Sequence, residues 1–255
     1  MTDLDNNNAE MSKENKIDQY RRRLLGGSAA AIAGLTVAPG LILQTVQAKH
    51  ADEAVSNSNR WGLLIDTAKC AMGCSDCVDA CNKEHGLRPQ HGPETDAQWI
   101  RTVTLKNKST GHSLQMPVMC QHCEKPPCVD VCPTGASFKR DDGIVLVDKH
   151  ICIGCRYCMM ACPYKARNFI HETLTDQLPV APRGKGTVES CTMCVHKVDK
   201  GDHTTACQEA CPHGAITFGD LNDPNDKISI MLRDKGGRQL RAELALNTGV
   251  RYQGL

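Results

Sequence analysis

Sixteen cysteines in a chain of 255 residues fall into four groups of four. The groups are Cys70, Cys74, Cys77 and Cys81; Cys120, Cys123, Cys128 and Cys132; Cys152, Cys155, Cys158 and Cys162; and Cys191, Cys194, Cys207 and Cys211. Three of them end in Cys-Pro, at Pro133, Pro163 and Pro212. The third is a C-x2-C-x2-C-x3-C-P run, the bacterial spacing that ligates [4Fe–4S] clusters. Closely spaced thiolates on a tight loop converge on one cube of iron and sulfide. The cysteine three residues further on starts a helix that points away, so it serves the neighbouring cluster. The four groups predict four [4Fe–4S] clusters, with all sixteen cysteines as iron ligands. Outer-sphere electron transfer needs no general base, nucleophile or open metal position. No catalytic residue is therefore assigned, and the chain is expected to carry electrons rather than to be an enzyme by itself.

The elements that must position these thiols are short. Gly143-Ile144-Val145-Leu146-Val147-Asp148 is apolar and β-branched, a strand ahead of the third group. Gln98 to Lys106 alternates apolar and polar residues, and His112 to Val118 pairs with it as a hairpin. Ile65-Asp66 before the first group and Ala215-Ile216-Thr217-Phe218 after the fourth read as two further strands. The expected fold class is α+β: two two-cluster modules related by pseudo-two-fold symmetry, with loops and a C-terminal extension. Residues 61–116 and 171–220 would form an outer module, 117–170 an inserted one, and 221–255 the extension. Pro179 to Gly186 is a returning loop, rich in Pro and Gly. Asp223-Pro224 predicts the start of a helix running to about Arg233.

Composition agrees with a fold held by metal. Aromatic residues make up 4% of the chain, a thin supply for an apolar core, and metal binding free energy is also folding free energy. The formal charge of +1 counts every cysteine as neutral. Four oxidised clusters at about −2 each would take it to roughly −7. There is no Lys/Arg-rich block of the nucleic-acid-binding type.

Tyr20-Arg21-Arg22-Arg23-Leu24-Leu25 precedes a Gly/Ala-rich apolar stretch to about Val37, and Val46-Gln47-Ala48 supplies small residues for cleavage. That order describes an export signal of twin-arginine type over residues 1–48. Pro39, Gly40 and Gln44 interrupt the run, which favours cleavage over retention as an anchor. No other run approaches the roughly 18 apolar residues needed to span a bilayer. The mature protein is expected in the periplasm, without its own transmembrane helix.

Cys120-Gln121-His122-Cys123-Glu124-Lys125-Pro126-Pro127-Cys128, Cys158-Met159-Met160-Ala161-Cys162-Pro163-Tyr164, Cys191-Thr192-Met193-Cys194 and Cys207-Gln208-Glu209-Ala210-Cys211-Pro212 are the most specific segments. Together they resemble the four-cluster ferredoxin subunits of complexes related to dimethyl sulfoxide, polysulfide and nitrite reductases. The likeness runs from about Trp61 to Arg233. Within that family the leader, the absence of a fused catalytic domain and the ending Gly249-Val250-Arg251-Tyr252-Gln253-Gly254-Leu255 are most similar to the exported subunit of sulfite-reduction-associated membrane complexes. The resemblance implies crossed ligation: Cys70, Cys74 and Cys77 with Cys211; Cys191, Cys194 and Cys207 with Cys81; Cys120, Cys123 and Cys128 with Cys162; Cys152, Cys155 and Cys158 with Cys132. It also implies two partners, a multi-pass quinone-reactive membrane subunit and a haem cytochrome subunit. The same likeness leaves open a molybdenum tetrathionate- or polysulfide-type reductase, or a hydrogenase, as the parent complex.

One departure from the family pattern is Cys70-Ala71-Met72-Gly73-Cys74, one residue longer than the usual C-x2-C. Gly73 would let that loop bulge and still close. The longer spacing is also that of radical S-adenosylmethionine enzymes, which leave one iron open, but Cys211 is available as a fourth ligand. Eight disulfides or four zinc sites are the non-redox alternatives; neither needs the repeated run, and zinc ribbons use two well-separated pairs. Around the ligands, His122 is a candidate donor to cluster sulfur. Lys125, Arg156, Lys165, His196 and Lys197 are candidate positive charges near a cluster, and Met159 and Met160 are candidate packing residues.

Overall fold

Trp61-Gly62-Leu63-Leu64-Ile65 lacks any polar residue, as a strand covered on both faces requires. It forms β1, Trp61–Asp66, the middle strand of a three-stranded sheet. The structure is a computed structural model that describes residues 55–255 except Asp176. The expected export leader lies outside the described residues. Short helices and strands are mixed along the chain, an α+β arrangement. Among the described residues, no helix is long and apolar enough to cross a membrane.

The expected hairpin is β2, Ile100–Lys106, against β3, Ser113–Met119, in antiparallel register from Ile100 opposite Met119 to Lys106 opposite Ser113. Two small pairs follow: β4, Ser137–Lys139, with β5, Val145–Val147, and β6, Asn168–Phe169, with β7, Val188–Glu189. The strand expected after the fourth cysteine group is β8, Ile216–Asp220, antiparallel to β1 with Leu63 opposite Phe218. Residues on either side of the four cysteine groups thus meet in one sheet. Its third strand, β9, Val250–Gln253, runs parallel to β1 on the other edge. Gly62 is required here because a Cβ would stand 2.6 Å from the Gly249 carbonyl oxygen.

The α-helices are mostly single turns set between cysteine-bearing loops. They are α1, Asp76–His85; α2, Pro127–Asp130; α3, Tyr157–Ala161; α4, Val195–Val198; and α5, Ala206–Glu209. Helix α1 ends on Gly86 in the left-handed conformation, φ +63°, which glycine adopts without steric cost. The last helix, α6, spans Lys227–Lys235 and starts later than Asp223-Pro224 implies. The Asp226 side chain accepts the Ile228 N–H and is the true cap, while Asp223 and Pro224 shape the turn before it.

The core is built around sulfur. Trp61, Leu63, Ile65, Trp99, Tyr164, Phe218 and Tyr252 pack in one cluster with Cys81, Cys120, Cys123, Cys162, Cys191 and Cys207. A smaller cluster joins Cys128 and Cys158 to Val145 and Val188. A low aromatic content is sufficient because thiol-bearing loops occupy the places large side chains fill elsewhere.

Candidate metal centres

All sixteen thiols are free. Nine are buried, six are partly covered and Cys155 alone is exposed. Each ligand loop turns sharply, and three of the turns use non-glycine residues at positive φ: His122 (+42°), Arg156 (+65°) and Cys194 (+49°). Such conformations are sterically costly for residues with a Cβ. They appear here inside or beside the C-x2-C segments, where the chain must reverse within two residues.

The folded chain gathers thiols across the groups rather than within them. Cys70, Cys74, Cys77 and Cys211 line one cavity, with Gln115, Pro117 and Ile216 completing its wall. Cys132, Cys152, Cys155 and Cys158 line another, beside Val147 and Val188. The other two sets are seen in how the thiols hold each other's protons. Burial, then Cys191, Cys207 and Cys194, push the Cys81 thiol far above its ordinary value. Burial, then Cys120, Cys128 and Cys162, do the same at Cys123. The sets also adjoin one another. Cys207 is the first thiol to act on Cys77, which burial and its neighbours raise to about 12. Cys120 acts on Cys191, and Cys128 acts on Cys158. The resulting order is the Cys70 set, the Cys81 set, the Cys120 set and the Cys132 set.

Buried thiols pushed up in this way, Cys77, Cys81, Cys123 and Cys191 among them, need a strong cationic partner to exist as thiolates. The donor set is sulfur throughout, all sixteen thiols being free, which suits a polynuclear iron–sulfide core.

Backbone donors already face the sulfurs. Ala166 N–H donates to Cys162 at 3.5 Å, Ala215 N–H to Cys211 at 3.3 Å and Ser137 N–H to Cys132 at 3.3 Å. In each case the cysteine precedes the proline of a Cys-Pro corner, so the bond is made by the next turn of chain. Met193 N–H and Ala206 N–H serve Cys191 and Cys194 at 3.4 and 3.5 Å.

The side chains near the thiols are only in part those expected: of the five candidate charges, Lys197 acts on Cys194, pulling its pKa down against the burial that raises it. His122 is buried as required; its Nδ1 accepts the Val145 N–H at 3.0 Å, and burial, then Arg167, holds its pKa down to about 3. Lys125, Arg156 and Lys165 are exposed. Arg156 stacks on Phe169, its guanidinium carbon 3.8 Å from the ring centre. His196 pairs with Glu84 at 2.6 Å and Lys197 with Glu209 at 2.7 Å. Met159 packs beside Cys128 and Cys158, but Met160 is 66% exposed and does not pack around a centre. Three contacts go beyond what the spacing implies. Arg167 Nη2 donates to Cys128 Sγ at 3.1 Å. His85 Nε2 stands 3.5 Å from Cys194 Sγ, and burial, then His196, lowers its pKa to about 4. Gln115 holds the Gly73–Cys74 turn. Arg167 falls five residues beyond Cys162, outside any ligand spacing, and only its burial against Cys128 in the fold reveals it.

A family model described as a 4Fe-4S dicluster domain matches residues 112–221. The chain is 41% identical to the Hdr-like menaquinol oxidoreductase iron-sulfur subunit 1 of Archaeoglobus fulgidus, over 91% of this chain and 97% of that one. It is 34% identical to a tetrathionate reductase subunit of Salmonella typhimurium, over 94% and 90%. Protein NrfC of Escherichia coli is 39% identical over 75% of this chain and 78% of its own length.

Proposed function

The chain belongs to the family of iron–sulfur electron-transfer subunits of oxidoreductase complexes, and from that premise we propose that it is a four-centre electron relay of an exported, membrane-bound complex of sulfur metabolism. In this reading each gathered set of four cysteines holds one [4Fe–4S] cluster, with the crossed pattern Cys70/74/77/211, Cys81/191/194/207, Cys120/123/128/162 and Cys132/152/155/158. The observation that carries it is that two cavities are each lined by all four cysteines of one crossed set, with the other two sets lying between them in succession. A bound cluster of this type supplies reversible one-electron transfer within a range of roughly −700 to +450 mV.

The chain's own residues do the rest. They exclude water from the middle sets, where Cys81, Cys120, Cys123, Cys162, Cys191 and Cys207 are all buried. They leave the two outermost sets near the surface. At one end Cys74 is partly covered beside Met72, which is 57% exposed. At the other, Cys155 is exposed among Ile153, Tyr157 and Met160. A relay needs such an arrangement: insulated interior positions and two accessible ends for different redox partners.

The proposed partners are a multi-pass quinone-reactive membrane subunit and a haem cytochrome, as in the DsrO subunit of DsrMKJOP-type complexes, with twin-arginine export placing the chain in the periplasm. The similarity to a menaquinol oxidoreductase subunit supports the quinone side of this reading. The similarity to the tetrathionate reductase subunit favours a second parent, a molybdenum reductase. In two-module terms, residues 61–116 with 171–220 and residues 117–170 would each hold two centres. Anaerobic purification of the native complex decides among these. The expected result is about sixteen irons and sixteen sulfides per chain, co-purifying with a membrane subunit and haem; molybdenum instead of haem supports the second parent. A colourless, iron-free, fully folded chain would end the relay reading.

A further inference from the structure

Arg167 is 4% exposed and has no carboxylate partner among the described residues; its hydrogen bond to protein is the 3.1 Å contact from Nη2 to Cys128 Sγ. Its Nη1 is buried without an acceptor. A guanidinium removed from water at this depth needs a counter-charge. The group it touches is the Cys128 sulfur, and Cys120 of the same set and Cys158 of the next are near enough for charge on their sulfurs to act on it. His122, 1% exposed, lies where the charge of Arg167 is felt. Because its Nδ1 accepts the Val145 N–H, its ring proton is on Nε2, and that N–H also has no acceptor. Two buried donor groups, Arg167 Nη1 and His122 Nε2, therefore lack a protein acceptor, the first on the side chain that touches Cys128 and the second on the residue between Cys120 and Cys123.

We propose that Arg167 and His122 set the reduction potential of the centre held by Cys120, Cys123, Cys128 and Cys162, donating to its sulfur and raising its potential above that of a chain lacking them. Reduction adds one negative charge to the centre, the electron coming from the redox subunit that feeds the relay. A fixed positive charge in a site shielded from water stabilises the reduced form more than the oxidised one. The effect is largest at the set containing Cys128 and smaller at the set containing Cys158, and it does not reach the other two. Arg167 is a tuning residue: it need not bind iron.

This inference rests on the four-centre reading, and its test separates the two. Wild-type iron content in the purified complex decides the reading. Potentiometric EPR on the complex carrying Arg167→Met, Arg167→Lys or Cys123→Ser decides the inference. In Arg167→Met, the signal altered by Cys123→Ser should become at least tenfold harder to reduce, a downward shift of about 59 mV for one electron, and Arg167→Lys should recover most of it. Four unmoved midpoints in an iron-replete Met variant overturn the proposal. Equal shifts in the Met and Lys variants overturn it too, since they would show packing rather than charge at work. If Arg167→Met loses iron, His122→Phe keeps the ring and removes the donor. The same signal must then move down, and an unmoved midpoint defeats the proposal.

Discussion

Gln115 grips the backbone of Cys74: its Nε2 donates to the Cys74 carbonyl at 2.7 Å while its Oε1 accepts the Gly73 N–H at 2.7 Å. Gly73 sits at φ +82° with open space where a Cβ would be, so the demand for glycine there is conformational and not steric. The additional residue between Cys70 and Cys74 is thus absorbed by a left-handed turn, and β3 supplies the clamp that holds it.

Gln115→Leu removes both bonds, releasing the N–H of exposed Gly73 to water and leaving the partly covered Cys74 carbonyl unpaired. At about 1–3 kcal/mol for each group left unsatisfied, the loop should loosen without unfolding the chain. The expected outcome is selective iron loss. A chelator challenge should release about four irons quickly, with the remainder held at the wild-type rate. Uniform release from all sites would mean that the clamp acts on the whole fold.

Crossing of the sets is tested by pairs of substitutions. Cys81 follows Cys77 in sequence but stands with Cys191, Cys194 and Cys207. Cys81→Ala and Cys191→Ala should abolish or alter the same EPR signal, and Cys70→Ala a different one. Likewise, Cys211→Ala should match Cys70→Ala. Signals sorted by sequence group instead would contradict the sulfur arrangement.

Arg183 and Glu189 form a buried pair outside the thiol sets, with Glu189 wholly covered and Arg183 Nη2 at 2.7 Å from its carboxylate. Arg183 also donates to the Gly86 carbonyl at 3.2 Å, so it ties the returning loop to the end of α1 and to β7, the strand leading into Cys191. Removing one partner strands a buried charge, at about 3–5 kcal/mol. Arg183→Met should lower the denaturation midpoint of the metal-loaded protein sharply. The double variant Arg183→Met with Glu189→Leu should recover much of that loss, which a double-mutant cycle reads directly.

The loops that gather thiols and most strands are legible in the sequence because their signals are local. Cysteine spacing marks the loops, and the β-branched run before Cys152 and the alternation from Gln98 announce strands β5 and β2. The start of α6 is ambiguous because Asp223-Pro224 and Asp226 both offer capping chemistry, and only the fold shows which side chain meets an N–H. Charge near the thiols is harder still to read. Lys125 and Arg156 adjoin ligand cysteines in sequence yet face solvent, whereas Arg167 is remote in spacing and reaches Cys128 through tertiary packing. Strand β9 leaves no readable trace, since four residues of parallel strand depend wholly on a partner 187 positions away, as in Leu63 opposite Val250.

Tyr252 is fully buried; its hydroxyl donates to the Pro117 carbonyl at 3.2 Å and accepts from Gln121 Nε2 at 3.2 Å. Gly249 N–H donates to the Gln121 carbonyl at 2.8 Å, and Thr67 Oγ1 donates to the Gln253 carbonyl at 2.7 Å. The chain's end therefore ties β1 to the loop bearing Cys120 and Cys123. Tyr252→Ala empties a large core site, at about 3–5 kcal/mol by analogy with other aromatic truncations. Tyr252→Phe keeps the volume, leaves Gln121 Nε2 with only its bond to the Met119 carbonyl and takes the hydroxyl donor from the Pro117 carbonyl, at about 1–3 kcal/mol. Both should lower the denaturation midpoint in that order. Hydrogen exchange should quicken at Gln121, His122 and Cys123 in the alanine variant before it quickens in α6. If exchange there stays at the wild-type rate, β9 does not brace the ligand loop and its role is confined to the sheet edge.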